Sequence, residues 1–212
     1  MKAGILGSGP VGQTIASGLS ALGHDVVVGT RDAKKLDAWI QKAGPRAQVG
    51  TFADAAQADM VFLCTSWSGT ESAIALAGKE HFSGKTVVDV TNPLDFSAGP
   101  PPKLAVQYPM SGGETLQNAL PSAKVVKAFN IVTAKYMIDA RLQAGVLDLF
   151  IAGNDAEAKG QVAEIAKAWH WGSVNDLGGI GQSYWIECFA MLWIQQGFKT
   201  GTWTHGFKLL PG

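Results

Sequence analysis

The first residues that could do chemistry are three glycines near the start of the chain. They lie in the segment Gly7-Ser8-Gly9-Pro10-Val11-Gly12, which has the spacing G-x-G-x-x-G. In such a loop the first glycine permits a tight turn, the second lets a pyrophosphate approach the backbone, and the third lets a helix pack closely on a strand. The spacing therefore predicts that Gly7, Ser8, Gly9, Pro10, Val11 and Gly12 bind a dinucleotide; a glycine-rich turn without a ligand is the alternative.

The residues after the second predicted strand indicate which dinucleotide is bound. Enzymes that use NAD usually carry an acidic residue at this strand end, where it bonds the ribose hydroxyls. This chain has Gly29-Thr30-Arg31 there, and Asp32 is placed to begin the next helix. Thr30 can donate a hydrogen bond, Arg31 can bind a phosphate with two donors, and Lys35 lies one turn further on. We therefore predict NADP as the cofactor, with an ordinary solvated charged surface as the alternative.

A lysine and an asparagine are the remaining candidates for direct chemistry. Lys127 and Asn130 have the spacing K-x-x-N, which could supply a proton donor and a substrate anchor. A lysine within a strand more often extends its ammonium group to the surface. We therefore predict no catalytic residue. The four histidines are scattered without metal-ligand spacing, so no metal site is expected.

The glycine loop has the flanking elements that a dinucleotide fingerprint requires. Residues 3–6 form a short apolar run typical of a buried parallel strand. Residues 26–28 are three valines that predict a second strand, and between the two runs a helical spacing joins Val11, Ile15, Leu19 and Leu22 before Gly23. Strand, loop, helix and strand thus follow one another within about thirty residues.

Strands and helices continue to alternate along the chain. Strands are predicted over 60–64, 85–90, 124–129, 147–152 and 173–177, and helices over 32–43, 52–57, 68–78 (capped by Ser68), 113–120, 133–140 and 156–169. The alternation predicts an α/β fold with a doubly wound, mostly parallel sheet of the Rossmann type. Because ligands bind at the carboxyl ends of such strands, the loops 7–12, 30–31, 65–67 and 91–94 should meet at one cleft.

The last predicted helix runs to about residue 196 and is apolar on every side. Between Tyr184 and Ile194 its only charged residue is Glu187. A helix of this kind must be buried, either in the core or against a second subunit. We therefore predict one domain over residues 1–212, in which residues 178–212 are a helical extension that closes the site or forms a dimer interface.

The composition argues against several classes of protein. The 212 residues include 17 basic and 17 acidic ones, so no excess of charge favours nucleic acid or an anionic membrane. No apolar run reaches membrane-spanning length and the first strand begins at once, so neither a membrane segment nor a signal peptide is expected. Cys64 and Cys188 both lie in apolar runs and are expected to be buried thiols in a reducing cytoplasm.

The chain resembles a known family of NADP-binding oxidoreductases. The resemblance rests on the glycine loop and on four further motifs: LGHDVVVGTRD (22–32), NPL (92–94), KVVKAFN (124–130) and IAGND (151–155). These are similar to motifs of the NADPH-dependent reductases of the deazaflavin coenzyme F420, and of the cytosolic NADPH-binding domain of six-transmembrane metalloreductases. The resemblance covers almost the whole chain.

The resemblance implies roles for individual residues. Residues 8–11 would hold the pyrophosphate, and the 2′-phosphate would be held by Thr30, Arg31 and Lys35. The ribose and nicotinamide would contact Thr65, Ser66, Trp67, Asn92 and Pro93, and the second substrate would contact Leu94, Asn130 and Ile131. A homodimer is implied as well. The chain departs from the family in lacking a basic cluster suited to the polyglutamate tail of the deazaflavin.

We therefore predict hydride transfer between NADPH and a flat redox acceptor such as a deazaflavin or a flavin. Such a transfer depends on positioning two rings and excluding water, and needs little acid–base help. Two alternatives remain open. One is a hydroxyacid- or imine-type NADP-dependent dehydrogenase, although such enzymes usually have a larger C-terminal helical domain. The other is a non-catalytic module that binds NADPH as a sensor, which turnover with any acceptor would exclude.

Overall fold

The computed structural model describes residues 1–210 and contains twelve strands and eight α-helices within them. Residues 211 and 212, the end of the predicted extension, lie outside the described residues. The strands are β1 (Lys2–Leu6), β2 (Asp25–Gly29), β3 (Ala47–Gly50), β4 (Met60–Leu63), β5 (Thr86–Asp89), β6 (Leu94–Asp95), β7 (Lys103–Leu104), β8 (Lys124–Lys127), β9 (Arg141–Leu142), β10 (Gly145–Val146), β11 (Leu149–Gly153) and β12 (Val174–Asp176).

The helices alternate with these strands. They are α1 (Pro10–Ala21), α2 (Asp37–Ile40), α3 (Phe52–Ala56), α4 (Trp67–Ala77), α5 (Gly112–Ala119), α6 (Ala134–Met137), α7 (Ala156–Ala168) and α8 (Ser183–Thr200). Short 3-10 helices cover Ala33–Leu36, Lys79–Phe82 and Ile180–Gln182.

Eight strands form one sheet in the order β12-β11-β8-β5-β4-β1-β2-β3. All neighbours are parallel except β8 and β11, which run antiparallel. One apolar core packs α1 and α7 on one face of the sheet, and a second packs α3, α4 and α5 on the other. The predicted doubly wound, mostly parallel sheet is therefore confirmed, and its order reverses between β1 and β4, where such folds bind ligands.

Three local predictions were wrong. The helix expected over 32–43 is a 3-10 turn followed by the four-residue α2, because the chain must return to the sheet as the unpredicted edge strand β3. The helix expected over 133–140 ends at Met137, and the unpredicted hairpin of β9 and β10 follows. Ser68 does not cap α4, because the helix begins one residue earlier and Ser66 occupies the N-cap position.

Helix α8 buries one side within this chain and exposes the other, so its cover by a second subunit stays a prediction. One side packs on β11 and α5 through residues such as Ile186 and Ala190, which are fully buried. On the other side Trp185 is 53% exposed and Leu192 is 58% exposed. Within residues 1–210, no helix combines the length and hydropathy needed to cross a membrane.

The segment after α8 folds back onto the domain. Gly201 ends the helix with a left-handed backbone, at φ +70°. The Trp193 indole then donates a hydrogen bond to the His205 carbonyl oxygen over 2.8 Å, and the Asp148 backbone amide donates to the Phe207 carbonyl oxygen over 3.0 Å. These bonds hold residues 201–209 beside α8, with Trp203 packed on Gly197.

Candidate active site

Two adjoining cavities lie at the carboxyl ends of the parallel strands, each of about 500 Å³. They share four lining residues: Val11, Cys64, Thr65 and Ser66. We call the first the phosphate cavity; its other lining residues are Gly7, Ser8, Gly9, Pro10, Thr30, Arg31, Asp32, Lys35, Phe52, Gly69, Ser72 and Ala73. We call the second the aromatic cavity; its other lining residues are Trp67, Ser68, Val90, Thr91, Asn92, Leu94, Phe96, Pro102, Asn130, Val132, Thr133, Ala134, Met137, Trp193, Ile194, Phe198 and Trp203.

The three glycines of the loop meet three different constraints. Gly7 has φ +127°, and a β-carbon there would lie 2.6 Å from the Cys64 carbonyl oxygen. A β-carbon on Gly12 would overlap the Gly7 carbonyl oxygen, so this glycine permits the close contact between α1 and β1. Gly9 has no atom within 4 Å of the position of its missing β-carbon, so the space beside it is open. No side chain caps the start of α1, which leaves its first amides free to meet an anion.

The end of β2 presents two cations to the phosphate cavity. Arg31 and Lys35 line it, and neither forms an ion pair with any residue in the described range 1–210. Asp32 is turned toward the next helix, where its carboxylate accepts a hydrogen bond from the Lys34 amide at 3.1 Å, as predicted for a cap. The Thr30 hydroxyl lies 3.1 Å from the Ser8 hydroxyl and so joins β2 to the glycine loop.

Two asparagines from neighbouring strand ends form the inner wall of the aromatic cavity. The Asn92 amide nitrogen donates to the Asn130 carbonyl oxygen at 2.8 Å, and the Asn130 amide nitrogen donates to Asn92 Oδ1 at 2.8 Å. Asn130 Oδ1 is buried and has no hydrogen-bond partner among the described residues. Because an unpaired buried acceptor is costly, this oxygen is suited to a ligand that brings an N–H donor, such as a carboxamide.

A buried ion network lies directly behind this wall. Lys127 Nζ is 2.5 Å from an Asp89 carboxylate oxygen and 3.0 Å from Glu187 Oε1, and it donates to the Thr91 carbonyl oxygen at 2.9 Å. Glu187 also accepts the backbone amides of Gly112 and Gly113 at the start of α5, at 2.9 and 3.1 Å. The network therefore fixes α8 and α5 to the strands that carry Asn92 and Asn130.

The environment of Lys127 corrects the expectation that its ammonium group reaches the surface. Its side chain is 0% exposed, and it lines neither cavity. Burial alone would lower the pKa of Lys127, but the carboxylates of Asp89 and Glu187 outweigh this and raise it. The lysine is thus held charged by its partners, and it has no access to a substrate in either cavity, so the K-x-x-N spacing does not form a proton donor there.

Cys64 lies between the two cavities, and its thiol is buried. Burial, with a smaller effect of the Asp89 carboxylate, raises the pKa of Cys64. The side chain therefore stays a neutral thiol at physiological pH and packs as a small apolar group. Within the described part of the chain no three His, Cys, Asp or Glu side chains are grouped as a metal site would require.

Most of the predicted site residues come together at these cavities. Those that line one or both are Gly7, Ser8, Gly9, Pro10, Val11, Thr30, Arg31, Lys35, Thr65, Ser66, Trp67, Asn92, Leu94 and Asn130. Three do not. Gly12 has a packing role, Pro93 lies beside Gly112, and the Ile131 side chain is buried among Phe150 and Ile186.

Sequence reasoning missed the aromatic residues of the second cavity and the ion network. Trp193, Phe198 and Trp203 come from α8 and the segment after it, far along the chain from the glycine loop. The network did leave a signal, because Asp89 and Glu187 are lone charges in apolar segments and Lys127 lies in a strand with buried valines. Pairing those three charges would have predicted the contact between α8 and the sheet.

The strand order, the glycine loop at the point where that order reverses, and the two free cations at the end of β2 define a dinucleotide-binding protein of the Rossmann class. A family described as "NADP oxidoreductase coenzyme F420-dependent" matches residues 2–93. The F420-dependent NADP reductase of Methanocaldococcus jannaschii is 31% identical over 99% of this chain and 98% of its own length. The chain belongs to the family of F420-dependent NADP reductases, which confirms the predicted family and the prediction of an NADP-dependent oxidoreductase.

Three further proteins are similar to this chain, and the first of them agrees with this assignment. The crystal structure of a protein from Arthrobacter sp. FB24, provisionally assigned as an F420-dependent NADP reductase, superposes with a TM-score of 0.93 at 38% identity and covers 99% of both chains. The rat metalloreductase STEAP3 is 31% identical over 90% of this chain, which spans only 36% of that protein. The reductive aminase from Aspergillus terreus, solved with NADPH, shares the fold at 21% identity and a TM-score of 0.68, over 94% of this chain and 62% of its own.

Proposed function

We propose that the protein transfers a hydride between NADPH and a flat redox acceptor of the deazaflavin or flavin type. The single observation that carries this proposal is the continuity of the two cavities, one with phosphate-binding features and one with aromatic walls. A dinucleotide extended across the shared residues Val11, Thr65 and Ser66 has its phosphates at one end and its reacting ring at the other. The relatives described as F420-dependent NADP reductases support the choice of reaction.

The residues of the phosphate cavity fit the adenosine and pyrophosphate half of NADP. In this proposal residues 7–11 hold the pyrophosphate, since the space beside Gly9 is open and the start of α1 is uncapped. Thr30, Arg31 and Lys35 bind the 2′-phosphate, because two unpaired cations and a hydroxyl lie at the end of β2.

The inner wall of the aromatic cavity fits the nicotinamide. Thr65, Ser66 and Trp67 contact the ribose and the ring in this proposal, and the unpaired Asn130 Oδ1 accepts a hydrogen bond from the carboxamide. Asn92 orients Asn130 by accepting its amide N–H and donating to its backbone carbonyl oxygen, and Leu94 contacts the acceptor. Pro93 and Ile131 support this wall from behind. NADPH supplies the hydride, and the protein residues position the rings and exclude water.

We also propose that the protein is a cytoplasmic homodimer. Trp185 and Leu192 are seven residues apart on α8 and form an exposed apolar stripe, which a second copy would cover. The two free thiols agree with a reducing compartment. Sedimentation of the Leu192→Lys variant tests the interface: a shift from dimer to monomer supports it, and an unchanged dimer contradicts this choice of face.

Titration of NADPH and NADH into the protein tests the cofactor assignment. We expect NADPH to bind more tightly, and Arg31→Ala to remove most of that preference. The lost two-donor contact with a phosphate costs on the order of 1.5–3 kcal/mol, or about ten- to a hundredfold in affinity. Lys34→Ala is the matched control, because Lys34 adjoins this site without lining the cavity. An unchanged NADPH-to-NADH ratio in Arg31→Ala would refute the 2′-phosphate assignment.

Oxidation of NADPH with deazaflavin and flavin acceptors then tests the reaction. If the absorbance of NADPH falls only when an acceptor is present, the protein is an oxidoreductase. Binding of NADPH without turnover of any acceptor would instead favour a sensor.

A further inference from the structure

The two cavities differ completely in charge. The phosphate cavity is lined by Arg31, Lys35 and Asp32. Within residues 1–210, the lining of the aromatic cavity contains no Asp, Glu, Lys, Arg or His. Its polar groups are neutral, and among them Asn92 and Asn130 lie where the nicotinamide is proposed to bind. The outer part of this cavity therefore offers no cation to an anionic ligand.

The outer part is built from aromatic rings. Trp193 and Trp203 pack with ring centroids 5.2 Å apart, and Phe198 meets Trp203 edge-on at 5.4 Å. The Trp193 indole N–H is used by the His205 carbonyl oxygen at 2.8 Å. These residues present mainly ring surface to a ligand, which favours stacking with another flat ring.

One segment of the chain sets the position of this wall. Trp203 packs against Gly197, where any side chain would collide with the indole ring. Gly197 therefore lets residues 201–209 close on α8 and brings Trp203 to the cavity. Phe96, which is 56% exposed, adds another apolar ring at the rim of the cavity.

We propose that the acceptor is an uncharged, flat, fused-ring molecule that the aromatic cavity binds by stacking. This inference rests on the proposed function and specifies its second substrate. An anionic side chain on the acceptor gains no ion pair in this cavity and loses hydration on entering it, so it does not improve binding. A flat fused ring without charge is found in neutral flavin nucleosides, in deazaflavin nucleosides and in quinones. In the reaction the acceptor takes the hydride of NADPH and one proton from water, which gives NADP⁺ and the two-electron-reduced acceptor.

Matched pairs of acceptors that share a ring and differ in charge provide the test. The pairs are riboflavin with FMN and 5-deazariboflavin with its 5′-phosphate, and menadione represents the quinones. We expect kcat/KM for the neutral member to equal or exceed that of its phosphorylated partner. The ratio should change less than about twofold between low and high salt, because no protein charge acts on the acceptor. If only one of menadione and riboflavin is turned over, that result identifies which neutral ring is the substrate.

A preference for the anionic member overturns the inference. If FMN or the deazaflavin phosphate is favoured by more than about tenfold and salt weakens that preference, a cation serves the acceptor. The exposed Lys103 and Lys135 adjoin the lining residues Pro102 and Ala134, so they are the cations such a result would implicate. That result would leave the proposed hydride transfer intact.

Removal of the aromatic wall tests the stacking contact. Trp203→Ala should raise the Kd and the KM for riboflavin by about tenfold, while the Kd for NADPH, measured by calorimetry, stays unchanged. Trp203→Phe should restore most of the affinity because it keeps a ring. Tyr108→Ala is the control, since Tyr108 is an exposed aromatic residue outside both cavities. Equal effects of Trp203→Ala and Tyr108→Ala would contradict the inference.

A charge placed on the rim gives a test that does not depend on loss of function. Phe96→Lys should shift the FMN-to-riboflavin ratio of kcat/KM toward FMN by about tenfold at low salt and make it salt-dependent. Phe96→Gln, which removes the ring without adding charge, should not. A wild-type ratio in Phe96→Lys would contradict binding of the acceptor at this rim.

Equilibrium binding of riboflavin to the NADP-loaded protein separates this inference from the proposed function. Binding that Trp203→Ala weakens supports the inference even if no acceptor is reduced, and in that case the proposed hydride transfer is wrong. Failure to bind any neutral ring overturns the inference, whatever the protein does with anionic acceptors.

Discussion

The phosphate cavity and the aromatic cavity adjoin each other, yet they are built in different ways. The phosphate cavity takes most of its lining from two short segments, the glycine loop and the end of β2, which lie within residues 7–35. The aromatic cavity takes its lining from residues between 11 and 203, on many elements. A site made by local sequence can be recognised from its motif, whereas a site assembled from distant segments depends on the packing that brings them together.

The largest expected effect concerns the ion network that holds this packing. Lys127→Ala leaves Asp89 and Glu187 as buried carboxylates without their cation, which should lower the free energy of unfolding by about 3–5 kcal/mol. Urea denaturation measures this. Lys124→Ala, which removes a partly exposed lysine paired with Asp155 and Glu157, is the control and should lower the free energy of unfolding far less, because surface ion pairs contribute little. A similar small loss for Lys127→Ala would show that the network does not support the fold.

The second expected effect separates binding from folding in the phosphate cavity. Gly9→Val fills the open space where a pyrophosphate would approach, so the Kd for NADPH should rise about a hundredfold, or about 2.8 kcal/mol. The backbone at Gly9 is extended, at φ −75°, so the free energy of unfolding should change by about 1 kcal/mol or less.

Gly160→Val on α7 is the matched control for this variant. Its added side chain also begins in open space, but it lies outside both cavities. NADPH binding by calorimetry should be unchanged in the control. Normal NADPH affinity in Gly9→Val would place the pyrophosphate elsewhere.

The smallest expected effect concerns the hydroxyl that joins β2 to the glycine loop. Thr30→Val removes the contact with Ser8 and one donor beside Arg31, which should weaken NADPH binding by about 1 kcal/mol, or about fivefold. NADH binding should change less, because NADH has no 2′-phosphate. Ser83→Ala, which removes an exposed hydroxyl outside both cavities, should leave both affinities unaltered. Equal losses for NADPH and NADH in Thr30→Val would mean that Thr30 orders the loop instead of binding the phosphate.

Most of the sheet could be predicted because buried parallel strands are continuous apolar runs. β4 and β5 are buried along their whole length and are easily recognised. The edge strand β3 could not be recognised in the same way, because only Ala47 is buried there. The direction of β11 could not be predicted either, because its residues fit a buried strand that is parallel or antiparallel to its neighbour. In the structure it runs antiparallel to β8.

Some residues of the candidate site could likewise be predicted from the sequence, and others could not. Thr30, Arg31 and Lys35 follow a strand that the glycine motif identifies, so their common location could be predicted. Lys127 was misjudged because a strand pattern gives the face of a side chain but not what covers that face. Here α8 covers it with Glu187, a contact that only the folded chain specifies.

The ion network also constrains how this sequence can change over time. Its one cation and two anions are completed by the backbone amides at the start of α5. Replacing Lys127 alone leaves two buried carboxylates without a cation, and replacing either carboxylate alone leaves buried N–H donors without their acceptor. Exchanging all three for apolar residues need not be unfavourable. Single-step mutational paths away from Asp89, Lys127 and Glu187 therefore pass through poorly stable intermediates. Relatives are expected to keep the three residues together or to replace them as a set.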